Sequence, residues 1–446
     1  MTAIRRLLFL LLVVTACAPS VPTGPAQPYQ PGALPTFPVM GAGLPAGHTR
    51  YNNAALADLL VRLTHDLEWG ARRPHLIRYE VPISVGVTGE GAQPYFGFLD
   101  RFLSRLRQNS GLDIGRTSGP HNLVVHFVNG QDFRTKVPQH FCVVAPGLIR
   151  WETFRGSPIR YGTRGFETQR SLNGMTIFIP DNAAPYVVRT CLIEEIVQAL
   201  GPANDLYGLG PTIFNDDAAH IWPTRLDYLM LRVLYAPELR SGMDRDQTRQ
   251  GALAALVRLN PDGIGAPALP RLSTPGLDGW TKAIRAAFDR RQSRSQRVAH
   301  ATEALDLAER LAAGSAFHCR AAAVLARVGR KDGRRVLARI AQGDRICAQA
   351  HGTGDVRVAR IRLAIARLHF ETGNPAAAVT MTEGLSASLA AHGHDERLTA
   401  LFALRAAALT AIQRASEGAD ARRLAGEWGA YALGSDHPNV RRWRAR

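Results

Sequence analysis

Lysine is nearly absent from this chain of 446 residues: only Lys136, Lys282 and Lys331 occur, and arginine supplies almost all the positive charge. Lysine and arginine together number 54 against 37 acids, a formal net charge of +17. A basic surface of this kind meets nucleic acid, anionic lipid or an acidic polymer, although arginine excess with abundant alanine is also what a GC-rich genome writes on ordinary surfaces. Beyond the N-terminus no run of about 18 uncharged apolar residues exists, so nothing there is expected to span a bilayer. There is no Cys-x-x-Cys pair, so a zinc–thiolate site or a thioredoxin-type redox motif is unsupported. There is no G-x-S-x-G elbow, no P-loop and no G-x-G-x-x-G after a strand, which removes the usual serine-hydrolase, nucleotide-phosphate and dinucleotide readings. "GVTGEG" has the glycines of a phosphate cradle but neither its lysine nor its helix.

What is present begins with "MTAIRRLLFLLLVVTACAPS". Arg5 and Arg6 precede a short apolar stretch, Leu7 to Val14, in the layout of an export signal. The ending "VTAC" resembles the bacterial lipobox, which implies a signal over 1–17 and lipidation of Cys17. Ala18 rather than Asp follows, which by the usual sorting rule implies the outer membrane. Residues 18–48 carry a proline every three or four positions and read as a semi-rigid tether. An exported, lipid-anchored protein has the membrane as one partner and does not meet nucleic acid. Four cysteines then remain, Cys142, Cys191, Cys319 and Cys347, an even number that suggests disulfides in an oxidising compartment. Three pairings are open, and grouping by domain favours Cys142–Cys191 with Cys319–Cys347.

Composition of 46% hydrophobic and 20% charged residues fits folded material, and about 400 residues suffice for two or three domains. From 49 to 257 the pattern is mixed α/β. "NNAALADLLVRLTHDLEW" and "YFGFLDRFLSRLRQNSG" have helical spacing. "HLIRYEVPISVGVTG", "HNLVVHFVN", "HFCVVAPG" and "GMTIFIPDN" read as strands. "APYVVRTCLIEEIVQALG" is a helix stopped at Gly201-Pro202, and "PTRLDYLMLRVLYAPELRSGM" is a further helix whose Thr224 and Asp227 are spaced close to a capping box. Residues 258–279 are a Pro/Gly linker. From 280 to 446 the signal is helical, with hairpins resembling a degenerate tetratricopeptide array, in which Ala366, Leu368, Gly373 and Ala378 hold the diagnostic positions. Such stacks bind other proteins along a concave face, so an envelope protein is the expected partner; a plain helical bundle is the bland alternative.

The stretch "CLIEEIVQALGPAND" carries the functional question. Zinc peptidases of the zincin type place two histidines at i and i+4 of a helix, with a glutamate at i+1 as general base. The metzincin branch continues through a glycine to a third ligand, H-E-x-x-H-x-x-G-x-x-H, often followed by Asp. This chain resembles that pattern with Glu194, Glu195, Gln198, Gly201, Asn204 and Asp205. The base, the glycine turn and the trailing Asp match, while the three histidine positions hold Glu, Gln and Asn. "TRLDYLMLRVLYAP" is similar to the closing helix of matrixin-like domains. The whole stretch also resembles a family of proteobacterial lipoproteins catalogued as domain of unknown function 2927, whose helix likewise reads "EE–Q-LG" with a later "FNDD", here Phe214 to Asp217.

The resemblance implies an α+β zincin-like domain followed by an all-α domain of helical hairpins. One carboxylate and two amides form a poor zinc site, because zinc prefers imidazole or thiolate, while oxygen-only sites suit calcium or magnesium. Asp205, Asp216 and Asp217 would favour calcium if their loop folds back. The expectation is therefore a pseudo-metallopeptidase with no cofactor, kept for binding. The alternatives are a metallohydrolase with oxygen ligands for calcium or zinc, acting on envelope peptides or proteins, and a metal-free hydrolase using Glu194 and Glu195 as an acid/base pair. In the bland reading Leu192, Ile196, Ala199 and Leu200 face the core and the polar residues are a solvated face. His220, His392 and His394 are weak further candidates, His220 for an approach to the cleft.

Overall fold

The computed structural model describes residues 51–68, 70–138, 140–206, 212–215, 219–267, 277–289, 291–310, 315–330 and 333–444. Cys17, the tether, Asp216 and Asp217 lie outside them.

The first half is built on one sheet. Helix α1 (Asn53–His65) starts at Asn52, whose side chain accepts from the Ala55 N–H at 2.7 Å. Strand β1 (Ile83–Thr88) leads to α2 (Phe96–Ser110), which ends on Gly111 in the left-handed conformation. Then come β2 (Ile114–Arg116), β3 (Leu123–Val128), α3 (Gly130–Lys136) and β4 (Val143–Pro146). Three short helices, α4 (Trp151–Gly156), α5 (Pro158–Tyr161) and α6 (Thr163–Thr168), precede β5 (Met175–Pro180) and α7 (Pro185–Ala199). The strand order is β2-β1-β3-β5-β4; the first four are parallel and β4 is antiparallel to β5 at the edge.

Burial on both faces explains the near-continuous apolar strands. Along β5, Met175, Ile177 and Ile179 enter the main core with α1, α2 and α7. Phe178 points the other way, into a smaller cluster with Phe133, Trp151 and Phe154. The expected strand over the "HLIRYEVPISVGVTG" stretch is extended in the sheet only from Ile83. Upstream, Leu76 exchanges backbone hydrogen bonds with Gly242 and Met243, and Arg78 donates to the carbonyls of Leu234 and Ala236.

The closing helix α8 (Arg225–Leu234) has the Thr224/Asp227 capping box and stops earlier than the sequence suggests. A separate helix, α9 (Arg245–Leu259), follows, opened by a second capping box from Asp244 to Gln247. It packs on α1 and carries the chain into the expected linker. The first part of that linker is held against α1: Asn260 is buried and donates to Asn53 at 2.8 Å, and the Asn52 N–H donates to the Pro267 carbonyl.

The second half is helical throughout: α10 (Leu277–Phe288), α11 (Arg294–Arg310), α12 (Ser315–Val328), α13 (Arg334–His351), α14 (Val356–Glu371), α15 (Pro375–Met381), α16 (Leu385–Ala391), α17 (Asp395–Ala411), α18 (Ala415–Leu433) and α19 (Pro438–Arg444). Most helices pack on the next one in sequence, with α12 also on α14 and α15 on α17. Small residues allow the close approach: a Cβ on Gly343 would lie 2.4 Å from that of Ala322. The described residues contain no helix long and apolar enough to cross a membrane.

The halves meet at α7. Arg189 donates to Asp395 of α17 at 2.9 Å and to the Tyr431 carbonyl of α18 at 3.0 Å, with its guanidinium 3.8 Å from the Tyr431 ring centroid. His394, fully buried, lies 2.9 Å from the Ala219 carbonyl through Nε2. His220 packs edge-on against His392, ring centroids 5.4 Å apart. The three weak histidine candidates thus sit in this seam and His220 does not line the cleft, a correction to its expected approach. Burial accounts for them: it holds His394 down at about 4 and His220 well below its ordinary value, so both are neutral packing groups.

Candidate functional site

The motif helix is positioned from both ends. Pro185 opens α7, and Gly201 closes it with φ of 128°. The Tyr235 hydroxyl, just past α8, donates to the Leu200 carbonyl at 2.8 Å. Arg73, with 1% of its surface exposed, donates to the carbonyls of Gly201, Thr64 and Phe166 and stacks on the Phe166 ring. This buried guanidinium joins the glycine turn to α1 and α6. Desolvation pulls its pKa down to about 9, so it stays charged at neutral pH. A disulfide between Cys142 and Cys191 ties the segment before β4 to the middle of α7, and a second joins Cys319 to Cys347 in the helical half.

Between α7, β4 and α5–α6 lies a cleft of about 500 Å³. Glu194, Glu195, Gln198 and Asp205 line it, together with Glu68 and His140. Leu192, Ile196, Ala199 and Leu200 are buried in the core, as the bland reading also required. Glu195 is 8% exposed, so it is not part of a solvated face. Burial raises its pKa well above the ordinary carboxylate value, and the nearby charges of Glu194 and Glu68 raise it further. Burial and two neighbouring carboxylates thus all disfavour its charged form. Gln198 donates from Nε2 to Asp205 Oδ1 at 3.4 Å.

Asn204 departs from the expected ligand geometry. It is buried, its amide donates to the Arg62 carbonyl at 2.9 Å, and it does not line the cleft. The three positions that hold histidine in the metzincin pattern thus do not converge. Among the described residues no group of three His, Cys, Asp or Glu side chains is placed to hold a metal ion. One carboxylate from Glu194, an amide bonded to Asp205 and an amide turned away do not fit zinc, which prefers imidazole or thiolate. Met243, which trails the closing helix, pairs its backbone with Leu76 and stays outside the cleft.

Glu68 and His140 were not legible as site residues. Glu68 follows α1, and His140 precedes a short strand; no spacing rule links either to "EEIVQALG". Only the packing of α7 beneath β4 brings them to one cleft.

Residues 53–252 match the family model described as "Protein of unknown function (DUF2927)". The match covers the sheet, the motif helix and the start of α9. No curated protein matches the chain. No solved structure matches it.

Proposed function

We propose that this chain is a lipid-anchored protein on the periplasmic side of the cell envelope, at the outer membrane. Its zincin-like cleft binds extended peptide segments without cutting them, and its tetratricopeptide-like helical half docks an envelope protein. The observation that carries the non-catalytic part is Asn204, whose side chain is spent on the Arg62 carbonyl away from the cleft. The zincin-like reading draws support from the single antiparallel edge strand beside the helix of Glu194, Glu195 and Gln198, and from the closing helix that binds its end through Tyr235. Peptide binding draws support from β4. It is the terminal strand, and Val144, which lines the cleft, lies between the β5-facing positions of the ladder. Such an edge accepts a further strand through main-chain hydrogen bonds.

A second reading has one observation in its favour. Burial and the neighbouring charge of Glu194 raise the Glu195 pKa above the ordinary carboxylate value, the direction a metal-free general acid/base pair needs. A hydrolase with an oxygen-ligated calcium or zinc acting on envelope peptides is the third. Metal content by mass spectrometry, on protein purified without chelator, together with peptide cleavage by the wild type and Glu195→Gln, separates them. The binding reading expects no stoichiometric metal and no cleavage; a stoichiometric metal, or cleavage lost in Glu195→Gln, overturns it.

A further inference from the structure

The chain carries a net charge of +17, yet no lysine or arginine lines the cleft among the described residues. Four acids line it instead: Glu68, Glu194, Glu195 and Asp205. Glu195 is the informative one. It is more than nine-tenths buried, faces the cleft, and makes no hydrogen bond or ion pair within the described structure. A nearly buried carboxyl on the cleft wall offers its oxygens to whatever fills the cleft. Above it, Phe141 and Ile159 each leave 68% of their surface exposed on the cleft lip, although both are large and apolar.

These features specify a ligand with a cation at one end and apolar stem or neighbours at the other. A divalent ion is a poor candidate, since no three carboxylate or imidazole groups converge among the described residues. An alkylammonium asks less of its site. It needs acceptors within hydrogen-bond reach and carries a methylene stem that packs against apolar walls. We propose that the cleft selects a peptide with a lysine-type side chain, its ammonium seated beside Glu194 and Glu195 and its neighbouring apolar side chains held between Phe141 and Ile159. The inference rests on the reading of the cleft as a peptide-binding groove. Side chains of a strand added to β4 alternate between its two faces, so one position in two faces α7 and its acids.

The test uses blocked heptapeptides, Ac-Ser-Thr-Val-Z-Val-Thr-Ser-NH2, with Z as lysine, norleucine, glutamine or glutamate. Each carries an uncharged fluorophore and is titrated against the full chain in neutral detergent by fluorescence anisotropy. The lysine peptide is expected to bind about tenfold tighter than the norleucine peptide at low salt, with the gap narrowing near 0.5 M salt. Glu194→Gln should remove that preference, so that the lysine and norleucine peptides bind the variant alike. Val144→Pro, which deletes the edge-strand N–H, should weaken all four peptides together. Equal binding of the four peptides overturns the cation site and leaves the groove standing. Binding of none overturns both the cation site and the groove.

Discussion

Asp227 offers the sharpest test of the electrostatics of this fold. It is fully buried, and four donors act on its carboxyl: the N–H groups of Thr224 and Ile213 at 2.5 and 3.2 Å, and the hydroxyls of Thr212 and Thr224. The acid does more than cap α8. Holding residues 212–213 positions Phe214, whose carbonyl accepts from the Leu206 N–H at 2.8 Å, next to Asp205 of the cleft. Burial pushes the carboxyl from 3.8 up to about 6, against the opposite pull of its donors.

The folded pKa lies above the unfolded one, so the folded state favours the neutral acid. Its contribution is full below pH 3.8 and is lost as pH rises through 6. A shift of roughly two units amounts to about 3 kcal/mol. Asp227→Asn removes the titration and offers one acceptor oxygen to four donors, which costs about 1–3 kcal/mol relative to the protonated acid. The variant should therefore be clearly less stable than the wild type at pH 4 and close to it at pH 7. Urea unfolding followed by tryptophan fluorescence at the two pH values measures the change. A stability difference that stays constant within about 1 kcal/mol across that range would refute the assigned titration.

Three other outcomes follow from named contacts. Replacing Cys142 and Cys191 by serine opens a link spanning 49 residues and should cost about 4 kcal/mol, with weaker peptide binding because β4 is released from α7; replacing Cys319 and Cys347, 28 residues apart, should lower only the melting temperature. Arg189→Met should cost about 3–5 kcal/mol by stranding the buried Asp395, and Arg189→Met with Asp395→Leu should recover most of it; hydrogen exchange in α17 and α18 reports whether the seam has opened. Gly201→Ala should cost about 1–3 kcal/mol by calorimetry, since φ is 128° there and the added Cβ would lie 3.0 Å from the Ile77 carbonyl oxygen.

The elements with strong local signals were legible from the chain alone. The period-3.6 pattern of α1, α2 and α7, the β-branched runs of β3 and β5, and the Thr224/Asp227 cap are all short-range features. β2 was missed because three residues carry no period, and α9 because its apolar face is small and alanine-rich. The break after Leu234 was passed over because "YAPELRSGM" continues the apolar spacing of α8, although Pro237 has no N–H to continue the helical ladder. Arg78 then takes the freed carbonyls of Leu234 and Ala236, which is the long-range part.

The candidate site divides in the same way. Glu194 and Gln198 face one cleft because residues four apart share a helix face, which spacing alone determines. Whether Glu195 is solvated or buried, and whether Asn204 reaches the cleft, depends on what packs over the helix, and no local rule carries that. The sequence set the order of elements, the stop at Gly201 and the four cysteines available to pair. The tertiary structure alone decided that Glu195 is a buried acid with a raised pKa, that Asn204 serves the Arg62 carbonyl, that Glu68 and His140 join the site, and that the histidines lie in the seam. Protonation state and hydrogen-bond choice follow from desolvation and from partners distant in sequence, and both exist only once the chain has folded.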